Sequence, residues 1–167
     1  MTLARTCCLI VAFATSPVLA QDAKSAPAPA AQAFQVFTNQ SVASVVAGLQ
    51  AVNKTETLVT GDHVGTRLTI QHEKNVTSTG GEVHAETDDV FIILEGSTTL
   101  MVGGTLEGPT TSTPGEWKGT GIRGGREVTL NKGDVAFIPR GTPHRRTTPN
   151  QEVTLMVIKA TNPAGSK

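Results

Sequence analysis

Two stretches of this chain hold the residue types that bind and use a metal ion. The first runs Gly81-Glu-Val-His84-Ala-Glu86-Thr-Asp88-Asp89-Val-Phe-Ile-Ile-Leu-Glu-Gly96. The second runs Gly133-Asp-Val-Ala-Phe-Ile-Pro139-Arg-Gly141-Thr-Pro-His144. In both, imidazole or carboxylate groups stand beside apolar strand segments, where a small β-barrel could gather them around one ion. On a strand, residues two apart point the same way and lie roughly 6.6–6.8 Å apart, so His84 and Glu86 can reach one point in the interior. Asp89 has the opposite parity and needs a turn at Thr87-Asp88 to come inward. Asp88, whose parity matches His84, is its rival. Pro139-x-Gly141 makes a second tight turn that delivers His144 from elsewhere in the sheet.

The candidate metal ligands are His84, Glu86, Asp89 or its rival Asp88, and His144. Two neutral imidazoles and two carboxylates would cancel a divalent charge, which suits Mn, Fe or Zn. A leaner set keeps His84, His144 and Asp89 as a two-histidine, one-carboxylate triad with open positions and leaves Glu86 as a general base. The bland alternative is a barrel that holds its ligand by shape and hydrogen bonds without metal. His72 shares its strand face with Leu68 and Ile70 and is predicted to point into the barrel, as a proton-transfer residue or as a satisfied core histidine. His63, in Gly61-Asp62-His63, reads as a surface turn. Arg123, Arg126, Arg140, Arg145 and Arg146 could draw an anionic substrate or simply be solvated rim charge. Arg140, inside the second turn, is the one to watch.

The elements that must position these residues are mostly strands. Arg67 to His72 alternates, Val90 to Leu94 is a continuous apolar run, and further strands are expected at 98–102, 127–130, 135–138 and 153–158. Seventeen glycines and nine prolines punctuate them, as in a sandwich or barrel of short strands. A first strand is expected at Phe34 to Phe37. Val42, Val45, Val46 and Leu49 recur at helical spacing behind a possible Ser41 N-cap, giving one short helix, which Gly48 weakens. Between Gly103 and Gly125 lie eight glycines, two prolines and Trp117, read as a partly ordered lid or a mobile excursion.

Composition narrows the function. The 167 residues suffice for one domain with a real core, and the formal charge is zero. No block of like charge suggests a nucleic-acid surface. Tyrosine is absent, which removes it as a catalytic acid. Residues 1–20 read as an export signal, with Arg5, an apolar run from Cys7 to Ala14 and Val18-Leu19-Ala20 before the cleavage point. The run is too short to span a bilayer. Cleavage would remove Cys7 and Cys8, and with them any disulfide or thiol nucleophile. Losing Arg5 leaves 13 basic against 14 acidic residues. Residues 21–33 form a Pro/Ala-rich tether, and 34–162 a single domain. A periplasmic or secreted protein is expected, with no membrane contact after cleavage.

The two stretches resemble the motifs of the cupin superfamily, G-x5-H-x-H-x3,4-E-x6-G and G-x5-P-x-G-x2-H-x3-N. His84 matches the first histidine, Glu86 stands at the second, Asp89 takes the glutamate position and Gly96 follows at the right spacing. Gly133, Pro139, Gly141 and His144 match the second motif, with Thr148 in place of the asparagine. The resemblance covers roughly residues 65–160. It implies an all-β fold, a double-stranded β-helix or jelly-roll barrel with a short N-terminal helix, and commonly a homodimer. It also implies a divalent metal, usually held by three histidines and one glutamate, so two positions here are substituted. The function expected is a metal-dependent enzyme of oxygenase, isomerase or lyase type acting on a small polar or anionic molecule, with Glu86 or His72 moving the proton. The alternatives are a non-catalytic small-molecule binder and an empty structural barrel.

Overall fold

The computed structural model describes residues 35–60 and 65–161, with the Ser112 side chain excepted. The expected signal, tether and His63 fall outside these residues. Thr38, not Ser41, caps α1 (Asn39–Leu49), the one helix among the described residues: its hydroxyl accepts from the Ser41 amide at 3.2 Å. Residues 35–37, expected in a strand, precede that cap without regular structure. No helix among the described residues is long and apolar enough to cross a membrane.

The described strands after α1 all pair antiparallel. β1 (Lys54–Val59), β2 (Thr66–Lys74), β12 (Glu152–Thr161) and the first half of β4 (Thr87–Val102) lie side by side, and β10 (Val135–Ile138) pairs with β4. The second half of β4 pairs with β9 (Arg126–Asn131) and β11 (His144–Thr147). β3 (Gly81–His84) continues that sheet from β11, followed by β7 (Glu116–Gly119) and β6 (Thr110–Thr113). The expected strands at 90–94 and 98–102 are thus one strand that runs from one sheet into the other. The crossing point is Gly96, at φ +71°, where a Cβ would lie 2.1 Å from the Glu152 carbonyl oxygen. Glycine is the residue that tolerates both demands.

That bend carries an irregularity of pairing opposite Thr154 and Leu155, and the inward parity changes across it. Phe91 and Ile93 point inward before it, Thr98 and Leu100 after it. Phe91, Ile93 and Leu100 meet Leu130, Ile138, Val153, Leu155 and Val157 in one buried cluster between the sheets. Each such side chain withdrawn from water contributes about 1.5–3 kcal/mol.

The segment from Gly103 to Gly125 is neither lid nor excursion. Besides β6 and β7, it forms a small hairpin of β5 (Thr105–Glu107) and β8 (Gly121–Arg123). The hairpin seats Leu106 and Ile122 against Gly81, whose absent Cβ would stand 2.6 Å from Ile122. Trp117 pairs in register with Val83 and stays partly exposed.

Register also decides which side of β2 faces the barrel. Arg67, Thr69, Gln71 and Glu73 pair with Lys159, Val157, Leu155 and Val153, the inward residues of β12. Leu68, Ile70 and His72 therefore point to the other face. The expectation for His72 is overturned, and the physical reason is that β2 is covered on both sides. Its apolar side belongs to the outer layer, and its polar side lines the lumen.

Candidate metal centre

Glu82 and His84 are two apart on β3 and share one inward face, and Glu82 is the register partner of His144 on β11. Their ligating atoms, one from each of Glu82, His84 and His144, all lie within 4.8 Å of one another. Asp89 closes the group from the opposite sheet. Its Oδ2 stands 3.4 Å from His84 Nε2 and 3.5 Å from His144 Nε2, and the residue is 1 % exposed. The turn of the second motif is tied directly to the first, since the Gly141 amide donates to the His84 carbonyl at 2.8 Å.

Both histidines are oriented by oxygens that can only accept. His84 Nδ1–H donates to Glu116 Oε2 at 2.5 Å, and His144 Nδ1–H donates to the Thr142 carbonyl at 3.0 Å. Each ring therefore turns Nε2 towards the shared space, the arrangement by which proteins fix metal-binding imidazoles. His144 Nε2 and Asp89 Oδ1 are buried with no hydrogen-bond partner among the described residues. A buried polar atom without a hydrogen bond is costly, and an ion bound in place of the proton would satisfy the His144 nitrogen.

Charge is concentrated here. The His144 side chain holds Glu82 down at about 2, against the upward push of its burial. Burial also works against the Asp89 carboxylate, but His144, His84 and Lys159 keep it far below the usual range. Burial likewise opposes a charged His144, yet the facing Asp89 and Glu82 carboxylates outweigh it and raise the imidazole to about 9. His84 is raised too, because Asp89 overcomes its desolvation. Lys159, register partner of Asp89, completes the cluster. Its Nζ lies 2.7 Å from His84 Nε2 and 3.2 Å from Asp89 Oδ2. An ammonium can donate only into a lone pair, so that contact belongs to neutral His84.

Of the sequence candidates, the structure brings His84, Asp89 and His144 together. It places Glu86 in the bend between β3 and β4, where its charge acts on Arg140, and Glu86 joins no group of three possible ligands. Glu82 takes the place expected of Glu86. The expectation ran the strand's parity forward past His84, whereas β3 ends at that residue and the parity holds only backward, to Glu82. Motif spacing carried the same signal. With Glu82 and His84 at the two histidine positions, four residues separate His84 from Asp89, as the motif asks.

His72 lies on the outer face, its Nδ1 2.8 Å from the Thr154 hydroxyl. Asp88, the rival of Asp89, instead clamps Arg140: its carboxylate accepts from the Arg140 backbone amide at 2.8 Å, Nε at 3.1 Å and Nη2 at 2.7 Å. Thr148, buried, pairs with Val76 through both backbone and hydroxyl. Glu116 and Lys159 were not anticipated, because both reach the site only through strand register.

A cavity of about 250 Å³ opens onto Glu82 and His144, with Lys118 and Arg145 among its lining. Arg146 forms one wall, held by Gln71 Oε1 at 2.8 Å and Glu73 Oε1 at 2.5 Å and lying 4.4 Å over the Phe91 ring.

No protein-family profile and no curated protein matches the chain. Solved structures do. A protein from Neisseria meningitidis superposes over 75 % of this chain and all of its own, at TM-score 0.51 and 15 % identity. A cupin-like protein of Thermotoga maritima covers 64 % of this chain and 66 % of its own, at TM-score 0.47 and 19 % identity. A predicted oxalate decarboxylase of the same organism covers 65 % and 79 %, at TM-score 0.48 and 16 % identity. Likenesses at such identity speak for the fold alone. The first of these supports the fold, and the two-sheet topology makes it an all-β jelly-roll barrel with one short N-terminal helix among the described residues, as the resemblance to cupins implies.

Proposed function

We propose that this chain is an exported, metal-dependent enzyme that acts on a small polar or anionic molecule inside its barrel. One observation carries the reading. Two buried histidines spend their Nδ1 protons on fixed oxygens and turn Nε2 to the same point as the Glu82 and Asp89 carboxylates. His84, His144 and Glu82 would hold the ion, with Asp89 supplying further negative charge. This mixed donor set suits Fe, Mn or Zn. A bound divalent cation would polarise a substrate oxygen or make bound water easier to deprotonate.

The chain's own residues do the rest. Glu116 and the Thr142 carbonyl hold the imidazoles in orientation. Glu82, ionised and held at about 2, is a poor general base and better fitted to ligate. Lys118 and Arg145, which line the cavity, attract an anion, and the Glu73–Arg146 wall offers it polar contacts.

Elemental analysis of residues 21–167 beside His84→Ala and His144→Ala tests the proposal. Near one equivalent of Fe, Mn or Zn in the parent, lost from both variants, is expected. A parent that takes up no metal even after reconstitution rules it out.

The second reading is a binding module that works without metal. It is favoured by one contact, the Lys159 ammonium already seated against His84 Nε2 and Asp89 Oδ2. It predicts ligand-induced stabilisation that survives chelation.

Pairing of two copies belongs to the same proposal. Val135 and Phe137 turn outward from β10, each 63 % exposed, an apolar pair that a partner would cover. Sedimentation should give a dimer for the parent and a monomer for Phe137→Asp.

A further inference from the structure

Lys159 sits where the site's own logic calls for a metal. It is a strand residue among apolar inward neighbours, Val157 and Leu155, and its stem is held by β12 in register with Asp89 on one side and Arg67 on the other. The ammonium takes the His84 Nε2 lone pair at 2.7 Å and the Asp89 Oδ2 at 3.2 Å. Those are two of the atoms a metal needs. A divalent ion and an ammonium cannot share one lone pair on one nitrogen.

We propose that Lys159 is a resident counter-ion that competes with the metal, so that metal entry requires the ammonium to leave His84 Nε2. The inference rests on the metal-site reading above. A buried Asp89 carboxylate would be strongly destabilising without a cation, and Lys159 supplies one until the ion arrives. A second cavity of about 170 Å³, lined by Thr55, Arg67, Thr69, Gln71 and Lys159 itself, borders the lysine and gives the displaced amine room among polar groups. Metal affinity is then set partly by how firmly the chain holds its own cation. Exchange of one cation for another also keeps the carboxylates compensated at every stage.

The test is calorimetric titration of Zn²⁺ and of Mn²⁺ into the metal-stripped chain, for the parent, Lys159→Met and Lys159→Gln. A charge-assisted hydrogen bond removed from the competing side should tighten metal binding by about ten- to a hundredfold in both variants. Binding only in the variants would support the inference most strongly. Equal affinity in parent and variants, within about twofold, overturns the role of Lys159 and leaves the metal site standing. No binding to any of the three overturns both.

Should the variants fail to fold, the parent alone decides. Lys159 acylation by a water-soluble succinimidyl ester, read by mass spectrometry, should rise several-fold when Zn²⁺ saturates the site. Unchanged or reduced labelling refutes displacement.

Discussion

His72 and His144 make an instructive pair. Both are 2 % exposed, both have Nδ1 bonded to an oxygen, and both leave Nε2 buried without a partner. Their surroundings differ. His144 faces Asp89 and Glu82 at 3.5 and 3.4 Å, with the His84 ring 5.3 Å away, centroid to centroid. His72 has Lys54 and Thr154 as register neighbours and joins no group of three possible ligands among the described residues. An orphaned nitrogen is therefore common to a core histidine and a candidate ligand. Convergent carboxylates distinguish the second from the first.

The sharpest way to break this comparison is to truncate each histidine. His144→Gln should abolish stoichiometric metal, while His72→Gln should keep near one equivalent and lose only stability, as measured by elemental analysis alongside thermal melts. Metal loss in His72→Gln would mean that burial, not the carboxylates, makes the site.

The next effect is electrostatic and belongs to the metal-free protein. The His144 imidazole is raised from its ordinary 6.5 to about 9, so the folded chain holds that proton more tightly than the unfolded one. The stabilisation is fully present below pH 6.5 and is lost as pH climbs through 9, at most about 3 kcal/mol. Denaturant unfolding of chelated protein between pH 6.5 and 9.5 should show the decline, and His144→Gln should flatten it. A level curve in the parent contradicts the proposed pairing with Asp89 and Glu82.

Glu116→Gln probes orientation. It removes the carboxylate that accepts from His84 Nδ1, a loss expected to weaken metal binding about ten- to a hundredfold with the fold retained. Calorimetry checks it, and an unchanged affinity would leave His84 positioned by β3 alone.

The smallest effect concerns two glutamates four residues apart. Glu82→Gln should weaken metal binding measurably, whereas Glu86→Gln should leave it within about twofold, the scatter typical of a surface change. The reverse ranking would restore the forward parity that β3 breaks.

Much of the fold was legible in the residues. The apolar runs and alternations placed β2, β10 and β12 to within a few residues, because strand periodicity is a local property. The Pro139-x-Gly141 turn was legible for the same reason, since ring and φ constraints act within a few bonds. The short helix was legible as well, but its start was misplaced by three residues, because Thr38 and Ser41 are both competent caps.

The site was legible only in part. His84, Asp89 and His144 stand out by type and spacing, yet the choice between Glu82 and Glu86 turned on where β3 ends. Alternation along β2 was plain, but its direction was not, because one face is covered by the outer layer and the other lines the lumen. Periodicity tells that two faces differ, and only the partners of each face tell which is inside. Glu116 and Lys159 were beyond reach for a related reason. They lie 32 and 75 residues from His84 and meet it through antiparallel register. The sequence by itself determined the strands, the turns and the two histidines. Tertiary structure decided which carboxylates and which cation meet them, because long-range pairing sets those distances and no local pattern encodes it.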